Sequence, residues 1–203
     1  MKKYFLIIAL FAFFRSAVSA DDYYKALQFY NKKKIDESII SFMKVANDEN
    51  HEKRSDAMFN LALIYDNGFG VQEDKSKALF YYESASQLSN KFALFNLGWM
   101  YYNGENVNKD VFKAFDLYNK ASDFGHPRAM FNLANMHFAG VGTVKDIKMA
   151  YKLFLKSKMN GIDESKYYID KISKTLSPEE LGSLNNEFSS LIEKKIILTT
   201  PVD

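Results

Sequence analysis

The sequence predicts an all-α protein of the α/α solenoid type, built from repeated helix-turn-helix units. Three observations carry that reading. Seven columns are identical in three copies spaced 36 residues apart: Ala57, Ala93 and Ala129; Phe59, Phe95 and Phe131; Asn60, Asn96 and Asn132; Leu61, Leu97 and Leu133; Gly68, Gly104 and Gly140; Asp74, Asp110 and Asp146; Ala78, Ala114 and Ala150. At ordinary residue frequencies a triple identity arises by chance in about half a percent of columns, so fewer than one is expected per period. Inside each copy, apolar residues recur at helical spacing on either side of a glycine. The composition, 47% hydrophobic and 26% charged, is that of a globular chain.

In chain order, MKKYFLIIALFAFFRSAVSA (1–20) combines two lysines, an apolar run from Tyr4 to Phe14 and small residues at Val18 and Ala20. These are the parts of a secretory signal peptide. The apolar run is shorter than the roughly twenty residues that span a bilayer. Cleavage after Ala20 is expected, leaving a mature chain from Asp21 with no membrane span, located in the periplasm or secreted.

Residues 21–54 read as a divergent helix pair and a polar linker, with Ala26, Leu27, Phe29 and Tyr30, then Ile35, Ile39, Phe42 and Val45 as its apolar positions. Three full units follow at 55–90, 91–126 and 127–162. In the first, Ala57, Leu61, Ala62, Ile64 and Tyr65 mark the buried face of one helix, and Gly68 stops it. Gly70, Asn106 and Gly142 share a column that suits left-handed backbone. Asp74, Asp110 and Asp146 are expected to cap the second helix of each unit. Its buried stripe is Ala78, Tyr82 and Ala85, then Ala114, Tyr118 and Ala121, then Ala150, Phe154 and Ser157. Gly125 and Gly161 end that helix in two copies, and Pro127 suits the first turn of the next.

Residues 163–195 read as C-terminal capping helices, because a terminal repeat has no neighbour to cover its outer face. Ser165 and Ile169 continue the columns of Ala129 and Leu133, so 163–175 is a further first helix. Ser177, Pro178 and Glu180 form a capping box opening a helix with Leu181, Leu184, Phe188, Leu191 and Ile192 on its apolar side. The last eight residues, 196–203, read as a tail.

Several functions are disfavoured by composition. Lysine and arginine total 27, but Lys2, Lys3 and Arg15 fall in the first twenty residues, and without them the count is 24 against 25 acidic residues. No clustered positive excess marks a nucleic-acid partner. The absence of cysteine excludes disulfides, thiolate zinc sites and a cysteine nucleophile. His51, His126 and His137 show no metal-ligand spacing, and His137 stands where other copies carry Tyr65 and Tyr101. No metal, cofactor or catalytic residue is assigned, and a non-enzyme is expected. One S-x-x-K spacing, Ser41 to Lys44, lacks the S-D-N and K-T-G companions of penicillin-binding enzymes.

The unit AxxNLAxxYxxGFGVxxDxxKAxxYYxxA, from Ala57 to Ala85, resembles the Sel-one-like repeat, a relative of the tetratricopeptide repeat. The resemblance implies a right-handed superhelix whose concave surface is lined by the first helix of each unit, and a scaffold for protein–protein interaction. Some secreted members carry a cysteine pair per repeat and are associated with penicillin binding; this chain has no cysteine.

By the same resemblance the groove would be lined by Phe59, Asn60 and Leu63, by Phe95, Asn96, Trp99 and Tyr102, and by Phe131, Asn132, Asn135 and Phe138. Asp66, Asn67, Asn103 and Ala139 share these columns. Asparagines beside aromatic rings suit an extended peptide, whose backbone the amides can pair with. Equally, each asparagine can bond to the neighbouring repeat and each phenylalanine can be core. The function expected is an exported scaffold, acting as a monomer, that holds a peptide segment or folded partner. The alternatives are a peptidoglycan-associated protein or cell-wall enzyme of penicillin-binding or hydrolase type, and a host-directed secreted effector.

Overall fold

Ten helices and no strand are found among the described residues. The structure is a computed structural model, and it describes the backbone of residues 20–199 and the side chains of 21–190. Apart from Ala20, which opens the first helix, the expected signal peptide lies outside the described residues. No helix of the described residues is long and apolar enough to cross a membrane.

The chain divides into two units, residues 1–85 and 86–203. The first contains α1 (Ala20–Asn31), α2 (Ile35–Ala46), α3 (Arg54–Asn67) and most of α4 (Lys75–Gln87). Its core is Ala26, Phe42, Val45, Leu61, Ile64 and Tyr82, each at most 1% exposed. The Ser38 hydroxyl, fully buried, donates to the Ala26 carbonyl at 2.9 Å and so joins α2 to α1 without leaving an unpaired polar group.

The second unit contains α5 (Lys91–Asn103), α6 (Val111–Asp123), α7 (Pro127–Ala139), α8 (Ile147–Met159), α9 (Ser165–Ser173) and α10 (Pro178–Thr199). Consecutive helices from α5 through α9 pack on one another, and α10 meets α8. Tyr118, Leu133, Ala134, Ala150, Phe154, Ile172 and Leu184 form the core. Alanine at 114, 129 and 150, each fully buried, keeps these helices close.

The turn between paired helices explains why its columns are invariant. Gly104 (φ 77°) and Gly140 (φ 72°) adopt left-handed backbone and cap α5 and α7 with their N–H groups on Met100 and Met136. Six residues on, the aspartate uses both its backbone and its side chain. The Asp110 N–H donates to the Tyr101 carbonyl at 2.9 Å, while its Oδ1 accepts from the N–H groups of Phe112 and Lys113 at 3.0 and 2.9 Å. Asp146 repeats this with His137 and Met149, and Asp74 with Tyr65 and Lys77. One residue thus ends the first helix's carbonyl row and starts the second helix.

Two features extend the expectations. The Ser177 capping box forms reciprocally: Ser177 Oγ accepts from the Glu180 N–H at 3.2 Å, and Glu180 Oε2 from the Ser177 N–H at 3.0 Å. A Lys148 ammonium 2.8 Å from Glu180 holds that carboxyl down at about 2. Helix α10 runs to Thr199, four residues into the segment expected as a tail. The physical reason is the lack of a stop signal: no glycine follows Gly182, and the next proline is Pro201.

The turn after the second helix takes left-handed backbone at Gly125 (φ 78°) and Gly161 (φ 90°), and Ser89 fills the same column at φ 60°. A side chain in that region costs roughly 1–2 kcal/mol, against which glycine loses unfolded-state entropy. Ser89→Gly is therefore expected to raise the unfolding free energy by about 0.5–1 kcal/mol. A denaturant midpoint equal to or below that of the wild type would contradict this.

Candidate functional site

A groove of about 600 Å³ opens on the second unit along the first helices of successive repeats. Trp99, Tyr102 and Asn103 come from α5, Asn132, Asn135, Met136, Phe138 and Ala139 from α7, and Tyr167, Tyr168 and Lys171 from α9; Tyr118 and Val141 complete it. That volume lies within the roughly 300–1,000 Å³ of ordinary ligand clefts.

The floor follows from a glycine. A Cβ at Gly98 would stand 2.8 Å from two ring carbons of Tyr118, so only glycine lets that ring lie against α5. Tyr118 is 1% exposed, bonds to the Asn132 amide, and has its hydroxyl pushed well above the usual tyrosine range by burial. Asn132 is thereby tied to the floor.

The walls remain available. Trp99 is 45% exposed, Tyr102 37% and Tyr167 63%. Asn103 and Asn135 each donate one amide hydrogen to the carbonyl four residues back in their own helix, Trp99 and Phe131, at 3.0 Å. That bond fixes the amide plane and leaves Oδ1 and the second N–H for another group. Tyr168 stacks on Phe154 with centroids 4.6 Å apart and planes 7° apart, giving the α9 wall a rigid footing. The Lys171 ammonium lies 5.4 Å from the Phe138 ring centroid and 5.8 Å from that of Tyr167.

Of the residues expected to line a groove, Trp99, Tyr102, Asn132, Asn135 and Phe138 meet here. The others do not line it. Phe95 is half-buried and stacks on His126 with centroids 4.3 Å apart, and Phe131 packs edge-on to Phe154 at 5.6 Å, because both rings face the next helix of the stack. Asn96 is half-buried on α5 outside the lining. In the first unit, Phe59 tilts against Tyr82 at 6.1 Å and Leu63 is half-buried. There Asn60 donates to the Asp56 carbonyl at 2.8 Å and to the Tyr23 hydroxyl at 3.2 Å. Asp66 receives Lys75 at 3.1 Å and the Tyr82 hydroxyl at 3.0 Å, which satisfies it within its own repeat.

Tyr167, Tyr168 and Lys171 were not among the expected residues. The signal was present: one further step of 36 from Phe131, Asn132 and Asn135 lands on them. Among the described residues no three His, Asp or Glu side chains are grouped to hold a metal.

Paired helices at a fixed period, with the first helices of the second unit, α5, α7 and α9, presenting one face to a common groove, define a helical-repeat scaffold. A family model described as Sel1 repeat matches residues 55–90, 91–126 and 127–162, more than half of the chain, which therefore belongs to the Sel1 repeat family. Proteins of this type are generally non-enzymatic scaffolds for protein–protein interaction. A Sel1 repeat protein from Oxalobacter formigenes is 24% identical, with a TM-score of 0.65 over 72% of this chain and 59% of its own. A protective antigen of uropathogenic Escherichia coli strains, displaying an SLR fold, is 23% identical, with a TM-score of 0.71 over 92% of this chain and 42% of its own. The chain thus spans about three-fifths and two-fifths of those two proteins. No curated protein matches it.

Proposed function

We propose that the protein is an exported scaffold, acting as a monomer in the periplasm or outside the cell, that holds a segment of a partner protein in the groove of α5, α7 and α9. The observation that carries the reading is the exposure of three large rings, Trp99, Tyr102 and Tyr167, beside two amides held with free polar atoms. Large aromatics at a concave surface are the side chains that anchor protein interfaces, and a tethered amide supplies the donor and acceptor that a peptide group needs. The three-walled shape suits a chain segment better than a flat folded surface.

Site-specific photocrosslinking in the source cells tests this, with the reactive residue at Trp99 and a control at Lys120, which is exposed on α6. A discrete protein adduct at Trp99 alone is expected. Trp99→Ala with Asn135→Ala should remove binding of the captured partner while the helical circular-dichroism signal stays unchanged. A folded, exported protein with no protein adduct at either site would overturn the reading in favour of a cell-wall polymer.

A further inference from the structure

We infer that the groove selects an extended acidic peptide, one carrying a large apolar side chain within a few residues of a carboxylate. The inference rests on the peptide-binding reading above and adds the chemistry of the occupant.

Charge carries the argument. Among the described residues lining the groove, the single charged side chain is Lys171, and no aspartate or glutamate lines it. Three lysines of α8 and α9 are paired within the chain: Lys148 with Glu180 at 2.8 Å, Lys152 with Glu187 at 2.6 Å and Lys166 with Asp170 at 2.8 Å. Asp170, next to Lys171 in sequence, is held below the usual carboxylate range by its bond to Lys166. Lys171 instead lies over Phe138 and Tyr167, and Lys109 lies 5.8 Å over the Tyr102 ring on the α5 side. Two ammonium groups therefore border an aromatic trough without an acidic counterpart among its lining residues. An occupant that covers the rings brings its own charge close to these ammoniums while excluding water, where an unlike charge is attracted and a like charge is strongly disfavoured. The complement is an apolar side chain on the rings with a carboxylate at Lys171, its backbone paired to Asn103 and Asn135.

The test is selection from a random octapeptide library with the full-length protein, followed by titration of the chosen peptides. Trp99 is the only tryptophan, so its fluorescence reads occupancy directly with tryptophan-free peptides. The wild type is expected to enrich Asp or Glu within about three positions of Phe, Tyr, Leu or Ile. Lys171→Glu should lose the acidic preference and weaken the best wild-type peptide tenfold or more. Lys171→Gln, which removes the charge and keeps a polar side chain one bond shorter, should weaken it by a smaller factor in the same direction. Enrichment of apolar residues that is indifferent to acid in the wild type and both variants would overturn this inference and leave the peptide reading standing. Selection no better than that of Trp99→Ala would overturn both, and saturable binding of a wall glycan in that case would assign the groove to a sugar.

Discussion

Gly142→Ala is expected to lower the unfolding free energy of the second unit by about 2–4 kcal/mol, from left-handed strain and steric overlap together. Gly142 has φ 69°, and a Cβ there would run into the carbonyl oxygen of Val111 and stand 2.9 Å from the Met136 Cε. The first neighbour is backbone at the start of α6, so it cannot move aside as a flexible side chain would; the second is buried. Asparagine occupies the same column at Asn106 with φ 57°, exposed. That pair separates the two causes. Asn106→Gly should be neutral or slightly stabilising, because only backbone strain is at stake. Gly142→Asn should remain destabilised by more than about 1 kcal/mol, because asparagine eases the strain and leaves the overlap. Chemical denaturation of the three variants and the wild type decides the matter, and equal stability of Gly142→Asn and the wild type would show that the Val111 contact has no weight.

The contrast between these positions shows what a repeat sequence reveals. A period of 36 with identical glycine and aspartate columns encodes local geometry, since those residues act on backbone within their own turn. Gly104, Asn106 and Asp110 accordingly adopt the conformations and caps their types imply. Columns whose role depends on a neighbouring helix were not legible in the same way. Asn60 and Asn132 are equivalent in sequence, yet Asn60 meets Tyr23 from the divergent α1 and Asn132 meets Tyr118 from α6. Position 63 and its equivalents are Leu63, Trp99, Asn135 and Lys171, so one column carries a half-buried apolar residue, an exposed ring, a tethered amide and a cation. The groove's α9 wall lay in the arithmetic of the repeat but in a copy too divergent to match by identity. The caps of α5 and α7 escaped for a different reason: Asn90 and His126 share a column but differ in type. Only the structure shows an imidazole doing the work of an amide.

That substitution makes His126 the source of a specific acid sensitivity. Its Nδ1 accepts from the Ala129 N–H at 3.2 Å, the ring stacks on Phe95 and meets Phe92 edge-on, and the residue is 8% exposed. Burial, reinforced by the positive charges of Lys91 and Arg128, pushes its pKa down to about 4 from an ordinary 6.5. A proton on Nδ1 would abolish the cap and place a charge among aromatic rings. Between pH 6.5 and 4 the unfolded chain therefore binds the proton that the folded chain refuses. The stabilisation is complete above about pH 6.5 and is lost as the pH falls toward 4, amounting to about 2–3 kcal/mol over that window. His137, also shifted downward by burial, acts in the same direction. Carboxylates held low, such as Glu180 at about 2, lose their contribution only in more acid solution. His126→Asn restores the residue that caps α5 at this position, where Asn90 Oδ1 accepts from the N–H groups of Phe92 and Ala93 at 3.1 Å. The variant should cost about 1 kcal/mol at pH 7 through the lost ring stacking. From pH 6.5 to 4.5 its unfolding free energy should fall clearly less than that of the wild type, by the part that His137 contributes to both. Parallel slopes for the two proteins across that interval would assign the acid sensitivity to other groups.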